Sequence, residues 1–243
     1  LYYSFFYSSI KCHLMTSEDY LAGQMVLIDK PLGWSSFDVV KKIKHLISKK
    51  YNLKKLKVGH AGTLDPLATG LLIVCTGKFT KRISEIQGQE KTYTGTITLG
   101  GTTPSYDLET EVDNDYKTSH ITKELIHKTT KQFIGEIDQK PPIFSALKKG
   151  GERLYEKARR GEEIIIESRK IFVREFNIIS IENLTVAFEI KCSKGTYIRS
   201  IANDFGAALN SGGYLSSLCR TAIGDYQLSK GIDIESFEKL LNK

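Results

Sequence analysis

The sequence predicts an α+β fold, because strand-like and helix-like stretches occupy separate parts of the chain. Residues 164–181 and 184–192 alternate apolar and polar side chains, which indicates two antiparallel strands joined by a tight turn at Glu182-Asn183. Residues 121–133 instead place apolar side chains at helical spacing, which indicates an amphipathic helix. A sheet that packs against helices accounts for both patterns.

Length and composition favour a globular protein with a polyanionic partner. The chain has 243 residues, of which 40% are hydrophobic and 26% charged, and its net charge is +7. No apolar run approaches the roughly 20 residues that a membrane-spanning helix needs, so a membrane protein is not expected. The four cysteines are too far apart for a zinc or redox motif, and they indicate a reducing, cytoplasmic location.

The first 22 residues are predicted to be an N-terminal extension that is poorly ordered and has no evident function. They lack the basic segment and the small-residue cleavage site of a signal peptide. Residues 23–243 are expected to form a single domain.

This domain is predicted to begin with a buried strand at residues 25–29, which a turn starting at Lys30 ends. A lysine in such a turn is ordinarily solvated. Ser35 or Ser36 is expected to cap the helix that follows, with Asp38 in its first turn. The core face of this helix is predicted from apolar residues at helical spacing, namely Phe37, Val40, Ile43 and Ile47.

Between positions 41 and 57 the chain carries eight lysines and no acidic residue. Such a run is usually a solvated helix face, but a single sign of charge also suits contact with phosphates. Both interpretations stay open from the residues alone.

The most informative stretch is 58–81, V-G-H-A-G-T-L-D-P-L-A-T-G-L-L-I-V-C-T-G-K-F-T-K. Small residues around His60 let the backbone approach a ligand, and residues 71–75 indicate a buried strand. Pro66 favours an extended conformation for Asp65, which would hold that carboxylate as a nucleophile or general base. An Asp before a Pro is also, and more commonly, typical of a helix N-cap, so both interpretations remain.

Later stretches carry further candidate residues. Residues 91–100 alternate and indicate a strand that carries Tyr93. Residues 102–116 contain five acidic and no basic residues, which indicates a loop between hairpin strands. Seven basic and two acidic residues lie between positions 140 and 160, either as a second surface for contact with phosphates or as a plain basic helix.

These stretches resemble, in order, the motifs of the tRNA pseudouridine synthase B (TruB) family. The resemblance rests on D-K-P-L-G-W-S-S, G-H-A-G-T-L-D-P-L-A-T-G-L-L, K-x-Y, G-T-Y-I-R-S and L-S-S-L-C-R-T-A-I-G, and it covers roughly residues 25–226. It implies the pseudouridine synthase fold, an α+β domain with a mixed, mostly antiparallel sheet flanked by helices. Many family members continue into a small RNA-binding PUA domain, for which this chain has no room. We therefore expect the catalytic domain alone, over residues 23–243.

The resemblance also implies roles for single residues. Asp65 matches the catalytic nucleophile, and Arg199 matches the arginine that pairs with it and keeps it ionised. Tyr93 is implied to stack on the target base and to move the sugar proton. Substrate contacts are implied at four more positions, Lys30, His60, Tyr197 and Leu218.

The acidic loop departs from the family pattern. Its T-T-P-S-Y-D-L-E-T-E lacks the glycine of T-x-T-x-D-x-x-G, although Asp107 matches the family's aspartate. Arg220, in the last motif, receives no role from this resemblance.

The implied activity is the isomerisation of uridine to pseudouridine at position 55 in the T loop of tRNA, through a flipped base and without a cofactor. A monomer that acts on the T arm is expected, with no protein partner, membrane or metal. The alternative is a non-catalytic RNA-binding tRNA folding chaperone, which would not need Asp65, Tyr93 and Arg199 together. A metal-dependent RNA hydrolase is disfavoured, because no clustered carboxylates or histidines mark a metal site.

Overall fold

The structure is a computed structural model that describes residues 15–145, 147–162 and 164–243. Its helices are α1 Ser17–Ala22, α2 Ser36–Lys50, α3 Ile83–Gly88, α4 Lys123–Thr130, α5 Leu154–Arg159, α6 Ile198–Ala208 and α7 Ile234–Leu241. Its strands are β1 Met25–Lys30, β2 Val58–His60, β3 Ala68–Thr76, β4 Lys91–Leu99, β5 Gly101–Thr102, β6 Asn114–Asp115, β7 Gly135–Gln139, β8 Lys148–Lys149, β9 Glu152–Arg153, β10 Arg169–Glu182, β11 Thr185–Cys192, β12 Gly213–Ile223 and β13 Tyr226–Gln227.

One nine-stranded sheet dominates the molecule, in the order β1-β3-β12-β4-β11-β10-β7, with β2 added to β3 and β13 to β12. Only β12 and β3 run parallel among these pairs, and the others are antiparallel. The predicted α+β class, with its mixed and mostly antiparallel sheet, is confirmed. The parallel pair matters for the site, because it places Leu218 of β12 beside Ala68, where β3 begins.

Helices cover the sheet as separate packing units. Residues of α4 and α6 pack with β4, β10 and β11 into one apolar cluster. Residues of α2 and α7 pack with β1 and β3 into another. The predicted buried strand at 71–75 is confirmed, since every one of its side chains is buried at the centre of β3.

The start of α2 confirms one local prediction and corrects another. The Ser35 hydroxyl accepts a hydrogen bond from the Asp38 N–H, and the Asp38 carboxylate accepts one from the Ser35 N–H, which together form a capping box. Phe37 was predicted to face the core, but it is 59% exposed. Ser36 takes the buried position instead, because its hydroxyl bonds both the N–H and the carbonyl of Leu64.

Two other boundaries differ from the sequence prediction. The strand predicted from residue 164 begins at Arg169. The helix predicted over 121–133 is α4 followed by a 3-10 turn, Lys131–Phe133.

The extension predicted over residues 1–22 lies in part outside the described residues. Within them, Ser17–Ala22 is a capped helix whose Tyr20 is buried in the cluster beneath α2. The Tyr20 carbonyl also accepts a hydrogen bond from the Thr76 hydroxyl at the end of β3. The expectation of poor order was therefore wrong for this helix, because an aromatic anchor fastens it to the domain.

Candidate active site

Asp65 lies in a tight turn that connects β2 to β3. The Ala68 N–H donates to the Asp65 carbonyl at 3.0 Å, so the turn closes directly before β3. The Gly33 N–H donates to the Pro66 carbonyl at 2.8 Å and ties this turn to the loop before α2. No helix begins at Asp65, so its side chain is free of the capping role that the sequence left open. The Asp65 side chain is half-buried, with 43% of it exposed, so the surrounding protein still covers much of its carboxyl.

Arg199 joins two carboxylates at this point. Its Nη2 lies 2.8 Å from Asp65 Oδ2, and its Nε lies 3.5 Å from Asp107 Oδ2. Nη1 also donates to the Ser105 carbonyl at 3.3 Å. Since Arg199 is only 4% exposed, its charge acts in a medium that screens it weakly. The expected pairing of Asp65 with Arg199 is present, with Asp107 as a second partner.

The acidic loop is folded so that Asp107 reaches Arg199. The Asp107 carbonyl accepts hydrogen bonds from the hydroxyls of Thr103 and Ser105, and its Oδ1 accepts one from the Glu109 N–H. The Leu215 N–H donates to the Tyr106 carbonyl, which fastens the loop to β12. Sequence reasoning matched Asp107 to a motif but assigned it no partner, since its contact with Arg199 spans two distant segments.

Two opposing effects determine the ionisation of Asp65. Burial of its carboxyl raises the pKa, the positive charge of Arg199 lowers it, and the charges of Asp107 and Glu109 raise it again. The net direction is upward. The sequence argument expected the guanidinium to outweigh the partial burial of the carboxyl, and it did not include the neighbouring acidic loop.

Lys30 is fully buried beneath this turn, which rules out the solvated turn lysine. Its ammonium group donates to the carbonyls of Trp34 at 2.6 Å, Pro31 at 2.9 Å and Pro66 at 3.4 Å. Burial lowers the pKa of Lys30 to about 8, although the charge of Asp65 opposes the change. Lys30 therefore holds two loops together next to Asp65.

Arg220 has a similar function on the other side of the turn. It is 1% exposed and donates to the carbonyls of Leu71 at 2.8 Å, Gly62 at 3.0 Å and Thr63 at 3.3 Å. It stands opposite Tyr93 in the β12–β4 register. Sequence reasoning gave Arg220 no role, because backbone carbonyls as partners leave no trace in a motif.

Tyr93 lies on β4 at the centre of the sheet and is 8% exposed. Burial raises the pKa of Tyr93, and the charge of Asp65 contributes to the rise, so the two groups are within electrostatic range. The phenol is therefore protonated at neutral pH.

Tyr197 is held at the entrance to α6 by contacts that sequence reasoning missed. The buried Gln139 side chain accepts a hydrogen bond from the Tyr197 N–H at 2.7 Å and donates one to the Tyr197 carbonyl at 3.0 Å. The Arg169 guanidinium stacks 4.8 Å from the centroid of the Tyr197 ring. Tyr197 directly precedes α6, so these contacts fix where the helix begins. They thereby also help to position Arg199, which follows two residues later.

The remaining expected residues border the same region. Leu218 is partly buried between Ala68 of β3 and Gly95 of β4. His60 lies on β2, where burial lowers its pKa and the charge of Arg220 lowers it further. The imidazole is thus uncharged at neutral pH.

Within the described residues, no group of three or more His, Cys, Asp or Glu side chains could hold a metal ion. In the same part of the chain, none of the helices has the length and apolar character to cross a membrane.

A family model described as the N-terminal domain of TruB family pseudouridylate synthases matches residues 49–198. A protein named tRNA pseudouridine synthase B from Flavobacterium johnsoniae is 64% identical over 228 residues, which cover 93% of this chain and all of that protein. A protein of the same name from Phocaeicola vulgatus is 49% identical over 221 residues, covering 91% of this chain and 94% of the relative.

Solved structures share the fold. A chain in an H/ACA RNP bound to a substrate RNA containing 2′-deoxyuridine superposes with a TM-score of 0.66 and 26% identity over 91% of this chain. A chain in a Cbf5-Nop10-Gar1 complex superposes with a TM-score of 0.66 and 28% identity over 90% of this chain. In both cases the match spans 54% of the solved chain, about half its length.

Proposed function

The chain belongs to the TruB family of pseudouridylate synthases, and on this basis we propose that it converts uridine to pseudouridine at position 55 in the T loop of tRNA. The observation that carries the proposal is the 2.8 Å contact between Asp65 Oδ2 and Arg199 Nη2. It presents a carboxylate at the surface beside a buried cation, which suits attack on a nucleotide that has left its stack. We assign the catalytic domain to residues 23–243.

In the proposed reaction, Asp65 assists cleavage of the bond between N1 of uracil and C1′ of the ribose. It does so either by attacking C1′ or by promoting loss of the C2′ proton to give a glycal. The detached uracil rotates and its C5 bonds to C1′, which breaks the bond between Asp65 and C1′ or, in the glycal route, returns a proton to C2′. C5 loses its hydrogen as a proton and N1 gains one, so the product has the same atoms as the uridine. Arg199 stabilises the Asp65 carboxylate, and Asp107 positions Arg199.

The other residues of the site would bind and orient the flipped base. Tyr93 offers a ring for stacking, since base–aromatic stacking suits any base. In the glycal route its phenol would accept the C2′ proton only after it passes its own proton on, because its pKa is raised. Leu218 and Tyr197 would line the pocket on either side. The uncharged His60 would occupy the gap that the flipped base leaves, and Lys30 would fix the floor by bonding both loops.

Two basic surfaces would hold the tRNA. Exposed lysines lie along α2 and in the segment after it, between Lys41 and Lys57. They suit contacts with phosphates, which do not depend on the RNA sequence. The second surface is the basic run between residues 140 and 160, where several side chains lie outside the described residues. We propose a cytoplasmic monomer that uses these surfaces without a protein partner.

The deciding experiment uses T-arm RNA with tritium at C5 of its target uridine. Forming the C5–C1′ bond must expel that hydrogen, so tritium release measures the reaction. We expect release by the wild type and none by Asp65→Asn, which keeps the shape of the side chain but is a much poorer nucleophile. Asp225→Asn, an exposed aspartate in the turn before β13, is the matched control and should release tritium at the wild-type rate.

Each contrary outcome has one meaning. Release by Asp65→Asn at the wild-type rate would refute the assignment of Asp65 while keeping the enzyme. Salt-sensitive RNA binding without release by the wild type would refute the synthase and favour the folding chaperone.

A further inference from the structure

Large apolar side chains are exposed around the start of α2, among them Phe37, which the sequence predicted to face the core. Leu32, Trp34, Phe37 and Leu67 are between 36% and 63% exposed. Single exposed apolar residues are ordinary, but four on two bonded segments form a patch. The Gly33–Pro66 hydrogen bond joins the segments and places the patch next to the Asp65 turn.

Positive charge is interleaved with these aromatic rings. Lys41 Nζ lies 4.6 Å from the centroid of the Phe37 ring. A groove of about 560 Å³ runs along the same face and is lined by Gly33, Trp34, Asp38, Lys41, Lys42 and His45. Lys42 is paired with Glu238 at 3.2 Å, whereas Lys41 and His45 are exposed. This surface, defined by Trp34, Phe37, Lys41 and His45, is called the α2 platform below.

The α2 platform is continuous with the candidate active site. Lys30 donates to the carbonyls of both Trp34 and Pro66, so one buried ammonium group fixes the platform loop and the residue after Asp65. The exposed lysines of α2 extend from the platform in the opposite direction. An RNA strand whose target base reaches Asp65 would therefore have neighbouring nucleotides within reach of Trp34 and Phe37.

We propose that the α2 platform is an accessory RNA subsite, on which unpaired nucleotides other than the target uridine stack against both Trp34 and Phe37 while Lys41 contacts their phosphates. Alternating aromatic rings and cations are the usual construction of single-strand binding surfaces, since every base has a π-face and every linkage a charge. A protein or lipid partner of apolar character would not need the lysines between the rings. The identity of the RNA as tRNA rests on the proposed function, but the subsite does not.

Trp34 provides a direct test, because it is the only tryptophan of the chain. A base that stacks on it should quench its fluorescence in a saturable way when T-arm stem-loop RNA is added. We expect the same quenching in Asp65→Asn, because stacking precedes chemistry. A blunt RNA duplex of equal length supplies phosphates but no unpaired base, and it should leave the fluorescence unchanged.

Phe37→Ala tests the second ring, and the residue is exposed enough for the fold to tolerate the change. We expect roughly tenfold weaker stem-loop binding, the loss typical of one stacked base. The single-turnover rate at saturating RNA should stay at the wild-type value, since the platform does not touch the reacting atoms. Phe172→Ala, at a 45% exposed position on β10, is the matched control and should bind as the wild type does.

Three results would overturn the proposal. The first is unchanged Trp34 fluorescence under conditions where filter binding shows a complex. The second is equal binding by Phe37→Ala and Phe172→Ala. The third is equal quenching by the stem-loop and by the duplex. Failure of the proposed function looks different, because the wild type would then release no tritium whether or not Trp34 is quenched.

Discussion

Two regions of the molecule bury positive charge in different ways. At the start of α6, the Arg199 guanidinium is paired with the carboxylates of Asp65 and Asp107. Around the Asp65 turn, the buried Lys30 and Arg220 each donate hydrogen bonds to three backbone carbonyls. A carbonyl is a dipole without net charge, so it compensates an ammonium group less fully than a carboxylate does.

The difference separates electrostatic function from architecture. Arg199 controls the charge state and the position of the group proposed to react. Lys30 and Arg220 fix the path of the loops that carry this group. Removal of Arg199 should therefore act mainly on the reaction, while removal of a carbonyl-bound cation should act mainly on stability.

The largest effect is expected for Arg199→Met. The Asp65 and Asp107 carboxylates would face each other without a cation, and the turnover rate should fall by about 10²–10³-fold. Single-turnover tritium release from labelled T-arm RNA measures the change. Arg199→Lys is the informative control, because a single ammonium group cannot pair with both carboxylates in the geometry of the guanidinium, and it should restore little of the rate. A rate for Arg199→Met within threefold of the wild type would contradict the electrostatic role of Arg199.

Asp107→Asn should have the next largest effect. Loss of one charged partner of Arg199 is expected to reduce the rate by roughly tenfold or more. Because the charge of Asp107 raises the pKa of Asp65, the acid limb of the pH–rate profile should also move to lower pH. Glu109→Gln is the control. It removes another charge that raises the pKa of Asp65 but leaves the pair between Arg199 and Asp107 in place. It should shift the limb in the same direction without the loss in rate, and a shift to higher pH would contradict both assignments.

Arg220→Met tests the carbonyl-bound cations. One buried and two part-buried carbonyls would lose their donor, so the free energy of unfolding should fall by about 2–4 kcal/mol. Urea denaturation followed by circular dichroism measures this loss. Arg82→Met is the matched control, since the Arg82–Glu85 pair is exposed and should contribute less than about 1 kcal/mol. Equal stability of the two variants would show that Arg220 is not needed to hold the Asp65 turn.

The smallest effect is a pH dependence that belongs to Lys30. The pKa of Lys30 is about 8 in the folded protein and about 10.4 in an unfolded chain, so the folded state binds fewer protons above pH 8. Its contribution to stability is therefore constant below pH 8 and rises above it, by about 1 kcal/mol between pH 8 and 9. Urea unfolding of the wild type and of Lys30→Met measures this contribution as the difference between their free energies of unfolding.

In that comparison, the difference in unfolding free energy should grow from pH 8 to pH 9 in favour of the wild type. The exposed Lys128→Met serves as the control, and its difference from the wild type should not change with pH. A flat difference for Lys30→Met would mean that the ammonium group is not buried as the structure shows.

Local features were predicted well from the sequence, because neighbouring residues determine them. The capping box of Ser35 and Asp38 and the buried strand at 71–75 depend on short-range contacts and on apolar runs. The Phe37 prediction was wrong for a tertiary reason. The Ser36 hydroxyl is buried because Leu64, 28 residues away, offers it both a donor and an acceptor, and this turns Phe37 outward.

The sequence by itself determined which residues carry the proposed chemistry, since the motifs around Asp65, Tyr93 and Arg199 are continuous stretches that can be matched. Only the tertiary structure decided how these residues are supported. The contacts of Arg199 with Asp107, of Gln139 with Tyr197 and of Arg220 with Gly62 join segments 58 to 158 residues apart. Two of these partners are backbone groups, which every residue possesses. No pattern of side chains can therefore reveal them before the chain is folded.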